Sequence, residues 1–395
     1  MAQLSSRITS INGDGSDGWG VFYRARAMTA AGEDVTELTI GEHDIGTDPA
    51  ILEAMHAAAL GGHTGYAMVP GIPSLRDAVA ARVTQGTGIP TGRDNVLITP
   101  GGQAALFAAH VACCNPGETA LYIDPYYATY PGTIRAAGAV PQAIATRAAD
   151  NFLPHFSVLD AAAARHGAAS LLINSPNNPT GVVYDRQTLE DIARVARERD
   201  LWVISDEVYD TQIWEGTHLS PRALPDMQER TLVIGSMSKS HAMTGSRIGW
   251  IVAPEAVIAT LIDLATNTTY GVPGYIQDAA VFALAQGAPL EEGVMAPFRR
   301  RRALAMEILA AQSHVSHIPC QGAMYLMLDI RGTGLTGEGF ADALLDTHRI
   351  AVMPGESFGS STAGHIRVAM TVDDESFATA LRTLCAFAQR LAAAA

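Results

Sequence analysis

With 395 residues, 48% of them apolar, the chain is long enough to bury a large core and predicts two domains. Its formal net charge of −14, from 40 acidic against 26 basic residues, argues against a nucleic-acid partner, because no basic run outside Arg299–Arg302 could follow a phosphate backbone. Cys113, Cys114, Cys320 and Cys385 lack CxxC spacing, residues 1–17 lack a leader pattern, and no apolar run reaches the ~18 residues of a membrane span, so the expectation is a soluble cytoplasmic protein with reduced thiols, no metal site and no membrane partner.

In chain order, residues 1 to about 20 are polar and glycine-rich and predict a flexible entry segment. Gly13-Asp14-Gly15-Ser16-Asp17-Gly18 matches GxGxxG, but a dinucleotide fingerprint needs a preceding strand, and none is there. Apolar periodicity predicts a helix over 21–31, a short strand over 38–40 ending at Gly41, and helices over 50–60 and 74–83 separated by the turn-rich stretch 61–71. From 95 to 249 strands and helices alternate, with strands at 96–99, 119–123, 170–174, 202–206, 231–235 and 247–252. This alternation predicts an α/β fold with a mostly parallel central sheet covered by helices on both faces, whose ligands sit beyond the carboxyl ends of the strands.

Helices are predicted over 255–268, 275–286 and 290–313; Arg299–Arg302 fall in the last, as a solvated or domain-facing surface. Strands at 323–329, 350–353 and 365–369 with helices at 338–347 and 375–392 predict a second, smaller α/β unit. The expected organisation is a large domain over 46–290 and a small domain built from 1–45 and 291–395. Gly332-x-Gly334-x-x-Gly337 follows a strand, opens a helix and has Glu356 at dinucleotide spacing. Only about 40 residues remain beyond Glu356, too few for the second half of a nucleotide domain, so a tight loop is expected.

Lys239, in Ser236-Met237-Ser238-Lys239, is the only lysine of the chain; the other 25 of its 26 basic residues are arginine. Unlike arginine, lysine can lose its proton and present a nucleophilic amine that forms Schiff bases with carbonyl compounds. Ser236, Ser238 and Arg247 offer hydroxyls and a planar fork of donors that suit a phosphate. With Arg247 eight residues beyond Lys239, the motif resembles the cofactor-lysine motif of class I/II pyridoxal-phosphate-dependent aminotransferases of fold type I, bacterial-type aspartate branch. The resemblance runs in the family's order from about Leu38 to Arg367.

The resemblance implies pyridoxal 5′-phosphate as cofactor, covalently held by Lys239, which also serves as the proton-transfer base. Asp206, in Ser205-Asp206-Glu207-Val208-Tyr209, ends an apolar strand where a carboxylate needs a partner. It is similar to the family's pyridine-nitrogen aspartate, although a helix N-cap is the alternative reading, and Tyr209 would reach the phenolic oxygen. Asn178, in Ser175-Pro176-Asn177-Asn178-Pro179-Thr180-Gly181, looks like the donor to the same oxygen, and the Asn178–Pro179 bond is a candidate cis peptide by resemblance. Pro100-Gly101-Gly102-Gln103 opens a helix, where free amides bind anions. With Ser236, Ser238 and Arg247 it would hold the phosphate, joined by Tyr66 of the partner subunit in a homodimer with shared active sites. Tyr127 occupies the position of the aromatic residue stacked on the ring; a core aromatic is the other reading. Arg367 corresponds to the arginine that binds the substrate α-carboxylate, with Gly41 contributing backbone and Asn178 a side chain.

Specificity lies in what meets the substrate side chain. Residues 255–278 contain no arginine or lysine near the Val272-Pro273-Gly274 turn, and Gln103 stands where aspartate-specific relatives often place a lysine. The expected activity is transfer of an amino group from an L-amino acid, neutral or modestly polar, to a 2-oxo acid by a ping-pong mechanism. A pyridoxal-phosphate C–S β-lyase would reuse nearly all these residues, and an aspartate aminotransferase with an unusual side-chain site is a further alternative.

Overall fold

The computed structural model describes residues 2–13 and 18–394. In chain order the helices are α1 Ser6–Thr9, α2 Gly20–Ala30, α3 Pro49–Leu60, α4 Pro73–Thr87, α5 Gly102–Cys113, α6 Tyr130–Ala137 and α7 Phe156–His166. They continue with α8 Arg186–Glu198, α9 Met237–Ser240, α10 Glu255–Thr266, α11 Gly274–Gln286, α12 Ala288–Ala310, α13 Gly337–His348 and α14 Asp374–Ala394. The strands are β1 Thr36–Leu38, β2 Val96–Thr99, β3 Thr119–Asp124, β4 Val140–Ala145, β5 Ser170–Asn174 and β6 Trp202–Asp206. After these come β7 Thr231–Ser236, β8 Gly249–Val252, β9 Ser316–His317, β10 Tyr325–Asp329, β11 Ile350–Pro354 and β12 His365–Ala369.

Among the described residues the strands form a 7-stranded sheet of order β2-β8-β7-β6-β5-β3-β4 and a 5-stranded sheet of order β1-β11-β12-β10-β9. In the larger sheet β4, β3, β5, β6 and β7 run parallel, and β8 lies antiparallel to β7 and β2. Its central strands are apolar without alternation because helices cover both faces. On β5, Leu171 and Ile173 pack with Leu189 and Ile192 of α8, while Leu172 packs with Leu106 of α5 on the other face. The smaller sheet draws β1 from one end of the chain and β9–β12 from the other, and packs against α12 and α14 through Phe298, Phe377 and Leu381.

The sequence reading missed β4. It is an edge strand interrupted by Pro141, with only one of its six residues buried, and an edge position removes both the need for an apolar run and the objection to proline. The strand expected from 247 begins at 249, because Arg247 has φ +51°, outside strand geometry. Likewise the strand expected from 323 begins at 325, after Ala323 at φ +56°. The short strand near Gly41 covers 36–38 rather than 38–40, following its pairing with β11.

The entry segment is more ordered than expected: α1 forms, and the Ile11 carbonyl accepts from Arg135 Nη1 at 3.0 Å. Most of the Gly13–Gly18 pattern lies outside the described residues. At the second glycine pattern, Glu356 Oε1 accepts from the amides of Gly337 and Gly364, both at 3.0 Å, so the Gly337 amide at the start of α13 is already taken by a carboxylate of the chain itself. Arg299, Arg300, Arg301 and Arg302 are paired with Glu292, Asp374, Asp44 and Glu215, which spends them within the fold. All four cysteines are buried and free, and no helix among the described residues is long and apolar enough to cross a membrane.

Candidate active site

Parallel pairing brings the carboxyl ends of β5, β6 and β7 into line. Asn174 pairs with Asp206, Asp206 with Ile234, and Ser236 with Gly249 of the adjacent β8. A cavity of about 290 Å³ opens beyond these ends, lined among others by Gly41, Gly102, Gln103, Tyr127, Asn178, Asp206, Tyr209, Ser236, Ser238, Lys239, Arg247 and Arg367. Gly101, just outside this lining, is fixed at φ +82°, and a Cβ there would stand 2.3 Å from Arg247 Nη2, so only glycine fits.

Lys239 sits on α9, whose first turn is capped by Ser236 Oγ accepting from the Ser238 amide at 3.1 Å. Its Nζ donates to the Gly41 carbonyl. Burial lowers its pKa to about 8, opposed by the negative charge of Glu42 and assisted by Arg367 and Arg247, so roughly a tenth of the amine is neutral at pH 7, far more than for an exposed lysine. Asp206 is its counterpart. Burial raises its pKa to about 6, although Tyr130 Oη donates to Oδ2 at 2.7 Å and the Val208 amide to Oδ1 at 3.3 Å, both favouring the carboxylate. Asp206 forms no ion pair among the described residues, so a buried carboxylate faces the cavity without a cation; no helix opens after it, although its contact with the Val208 amide is of the capping kind weighed from sequence. A ring nitrogen carrying a proton is the partner that such a group lacks.

Another part of the lining suits a phosphate. The first amides of α5, the Ser236 and Ser238 hydroxyls 3.0 Å apart, and Arg247 converge there. Arg247 donates only to backbone carbonyls, Thr244 at 2.8 Å and Pro100 at 3.4 Å, and among the described residues pairs with no carboxylate. A helix N-terminus with an unpaired arginine is a site for an anion.

Arg367 is fully buried. Its guanidinium lies 4.4 Å from the Tyr325 ring centre and 4.3 Å from that of Phe358, with Nη1 donating to Asn178 Oδ1 at 2.8 Å and Nη2 to the Thr39 carbonyl. Its Nε has no partner among the described residues, leaving donor capacity for a carboxylate. Asn178 is set by its amide donating to Asn174 Oδ1 at 2.8 Å, and the Asn178–Pro179 bond is cis, as are Ser175–Pro176 and Asp124–Pro125.

Two predicted residues stand differently from the rest. Gln103 lines the cavity, but its amide is occupied: Nε2 donates to Thr133 Oγ1 at 2.6 Å and Oε1 accepts from Thr129 Oγ1 at 3.1 Å. Tyr66 is 91% exposed, away from this cavity, with its ring 5.2 Å from that of Tyr270.

Three residues escaped the sequence reading. Tyr130 holds Asp206. Tyr325 Oη meets Tyr209 Oη at 2.9 Å and Asn178 Nδ2 at 3.5 Å, and a Cβ on Gly41 would overlap it. Asn174, at the end of β5, donates from Nδ2 to the Asp206 carbonyl at 2.9 Å. The tyrosines read locally as core aromatics, and no local signal marks them; only the three-residue spacing of Tyr130 from Tyr127 hinted at a shared face.

Residues 33–384 match the family model described as aminotransferase class I and II. The chain is 39% identical to the arginine–pyruvate transaminase AruH of Pseudomonas aeruginosa, over 95% of this chain and 96% of that protein. It is 34% identical to a probable aspartate/prephenate aminotransferase of Thermus aquaticus, over 99% of this chain and 100% of that one. Among solved structures, the aspartate aminotransferase of Thermus thermophilus with maleate superposes with TM-score 0.90 at 32% identity, covering 97% of this chain and 100% of the other.

Proposed function

The chain belongs to the class I and II aminotransferases, pyridoxal-phosphate enzymes that move amino groups between amino and oxo acids, and from that premise we propose how its own residues divide the work and which donors they admit. When bound, pyridoxal phosphate supplies an electron sink for the electrons released as the substrate Cα–H bond breaks. Lys239 Nζ holds that group covalently and, once released, takes the Cα proton; burial keeps enough of the amine neutral for both tasks. Asp206 holds the ring nitrogen's proton, with Tyr130 fixing the carboxylate. Tyr209 and Asn178 would donate to the phenolic oxygen, and Tyr127, which lines the cavity, would pack on the ring. Arg247, Ser236, Ser238 and the amides from Gly101 to Gln103 take the phosphate. Arg367, Asn178 and Gly41 take the substrate α-carboxylate.

The donor preference rests on the charges lining the cavity. Its two arginines serve the phosphate and the α-carboxylate, and the remaining charged groups at the cavity are Asp206, Lys239 and Glu42. Among the described residues of one subunit no cation is left at the cavity to meet an acidic side chain, which favours an L-amino acid donor with an uncharged or cationic side chain. Glu42, whose Oε1 accepts from Thr244 Oγ1 at 3.2 Å, favours the cationic case, as does the similarity to an arginine–pyruvate transaminase.

Residues 46–290 form the large domain and 1–45 with 291–395 the small one, a division supported by the two separate sheets. The protein acts as a homodimer in which the partner subunit's Tyr66 reaches the phosphate. That reading is supported by the exposure of Tyr66, Met68 and Tyr270 and by α3, where Leu52 and Leu60 face outward and only Ile51 is buried.

The single observation that carries the reading is the chain's only lysine, half-buried in a cavity whose lining also holds a buried carboxylate, Asp206, without an ion-pair partner among the described residues. The test is a half-reaction screen: each amino acid is mixed with the loaded enzyme without oxo acid, and conversion of the cofactor to its amine form is followed by absorbance. Alanine and arginine are expected to convert it faster than aspartate, with a single turnover until oxo acid is added. Steady release of ammonia and pyruvate from a β-substituted alanine would instead establish a lyase.

A further inference from the structure

The loop from Gly41 to Thr47, which leads from β1 to α3, runs along residues 239–244. Lys239 Nζ donates to the Gly41 carbonyl, Thr47 Oγ1 donates to the Ala242 carbonyl at 2.6 Å, and Thr244 Oγ1 donates to Glu42 Oε1. Between these contacts lies His43, whose Nε2 is 3.0 Å from the Lys239 backbone carbonyl. A carbonyl only accepts, so Nε2 carries the hydrogen. The ring packs edge-on against Phe298 of α12, centres 5.3 Å apart, and that phenyl is wholly buried. On its far side the loop is tied to the same helix by Asp44 and Arg301, at 2.6 Å.

We propose that His43 is a positioning residue for Lys239, holding the backbone of the four-residue helix that carries the amine against the loop that carries Gly41. Two features give His43 a task the other contacts cannot perform. The contact from Nζ to Gly41 depends on the chemical state of the amine and weakens whenever Nζ spends its hydrogens on chemistry, whereas the His43 contact is to the backbone and persists through every state. Ser236 Oγ accepts from the Ser238 amide at the first turn of α9 and so gives nothing to a carbonyl; without His43 the Lys239 carbonyl keeps, among the described residues, the Gln212 Nε2 donor at 3.3 Å. His43 stays neutral in this role: burial and the Lys239 ammonium lower its pKa to about 4.

The inference rests on Lys239 being the reactive amine, and its test separates the two. His43→Phe keeps the ring and its packing on Phe298 but removes the donor; His43→Gln puts an amide nitrogen near the position of Nε2. Because Lys239 is the chain's only lysine, its reactivity in the apoenzyme toward an amine-selective reagent is read at one peptide without interference. His43→Phe is expected to change that labelling rate severalfold and to lower kcat on the order of tenfold with the donor KM little changed, as a displaced amine would. His43→Gln is expected to restore most of both, with the melting temperature of each variant near that of the parent. A Phe variant equal to the parent in labelling and kcat overturns the proposal. So does a Gln variant as impaired as the Phe variant, or a kcat loss that tracks a fall in melting temperature. Failure of the underlying reading would look different: Lys239→Arg would then leave the cofactor's absorbance intact.

Discussion

Tyr130 donates its hydroxyl hydrogen to Asp206 Oδ2 at 2.7 Å, from the first residue of α6 to the last residue of β6, and is the only side chain among the described residues to do so. Burial raises the Asp206 pKa to about 6, so the folded apoprotein holds that proton more tightly than the unfolded chain does. Folding stability therefore declines as pH rises from about 4 toward 6, and the full penalty is present above 6.

Asp206→Asn should accordingly stabilise the apoprotein at pH 8, by up to about 3 kcal/mol, and little at pH 4, while abolishing measurable transfer. Thermal melts of the apoprotein at the two pH values test this; equal shifts at both would show that the carboxylate is not held at a penalty. Tyr130→Phe removes a contact that favours the carboxylate, so it should push the Asp206 pKa further up and reduce kcat on the order of tenfold.

Lys239→Arg is expected to lose at least about 10⁴-fold in activity, because a guanidinium neither bonds covalently to an aldehyde nor accepts a proton near neutrality. It should also abolish the absorbance of the covalently held cofactor. Glu42→Gln removes the negative charge that favours the Lys239 ammonium. The midpoint of the pH profile for amine labelling, expected near 8 in the parent, should therefore move down; an upward shift would contradict the assigned electrostatics.

Gln103→Lys should raise kcat/KM for aspartate relative to alanine by about tenfold, by placing a cation in a cavity whose other cations are committed. The substitution also gives up the acceptor that Thr129 uses, so a small loss of stability accompanies it. An unchanged ratio of the two donors would mean that this position does not meet the substrate side chain.

Leu52→Asp, on the outward face of α3, should shift a dimer toward monomer in sedimentation and weaken cofactor binding at the same time, since the partner subunit's Tyr66 would be withdrawn. A variant that is monomeric yet binds the cofactor with parental affinity would refute the shared site.

Much of the site was legible because its residues are chemically out of place in their local setting. A sole lysine among arginines, a carboxylate ending the apolar strand β6, and the proline-rich turn after β5 each carry a local signal, and the resemblance assigned them roles. Arg367 was different: it is one arginine among many, and only the family pattern singled it out. Tyr130 and Tyr325 remained hidden because their importance comes from partners 76 and 116 residues away, and a tyrosine in an apolar run has no local feature that separates a packed ring from a positioned hydroxyl.

The sequence by itself determined the alternation of elements and the parallel sheet, and it singled out Lys239 and Asp206 as the proposed amine and carboxylate, because periodicity and residue chemistry are local properties. Only the tertiary structure decided the proton affinities of Lys239 and Asp206, which burial sets, and the commitment of Gln103 to Thr129 and Thr133. It also decided the grip of His43 on the Lys239 backbone. Desolvation and long-range hydrogen bonds depend on which distant segments are packed together, and that information is not carried by any single stretch of the chain.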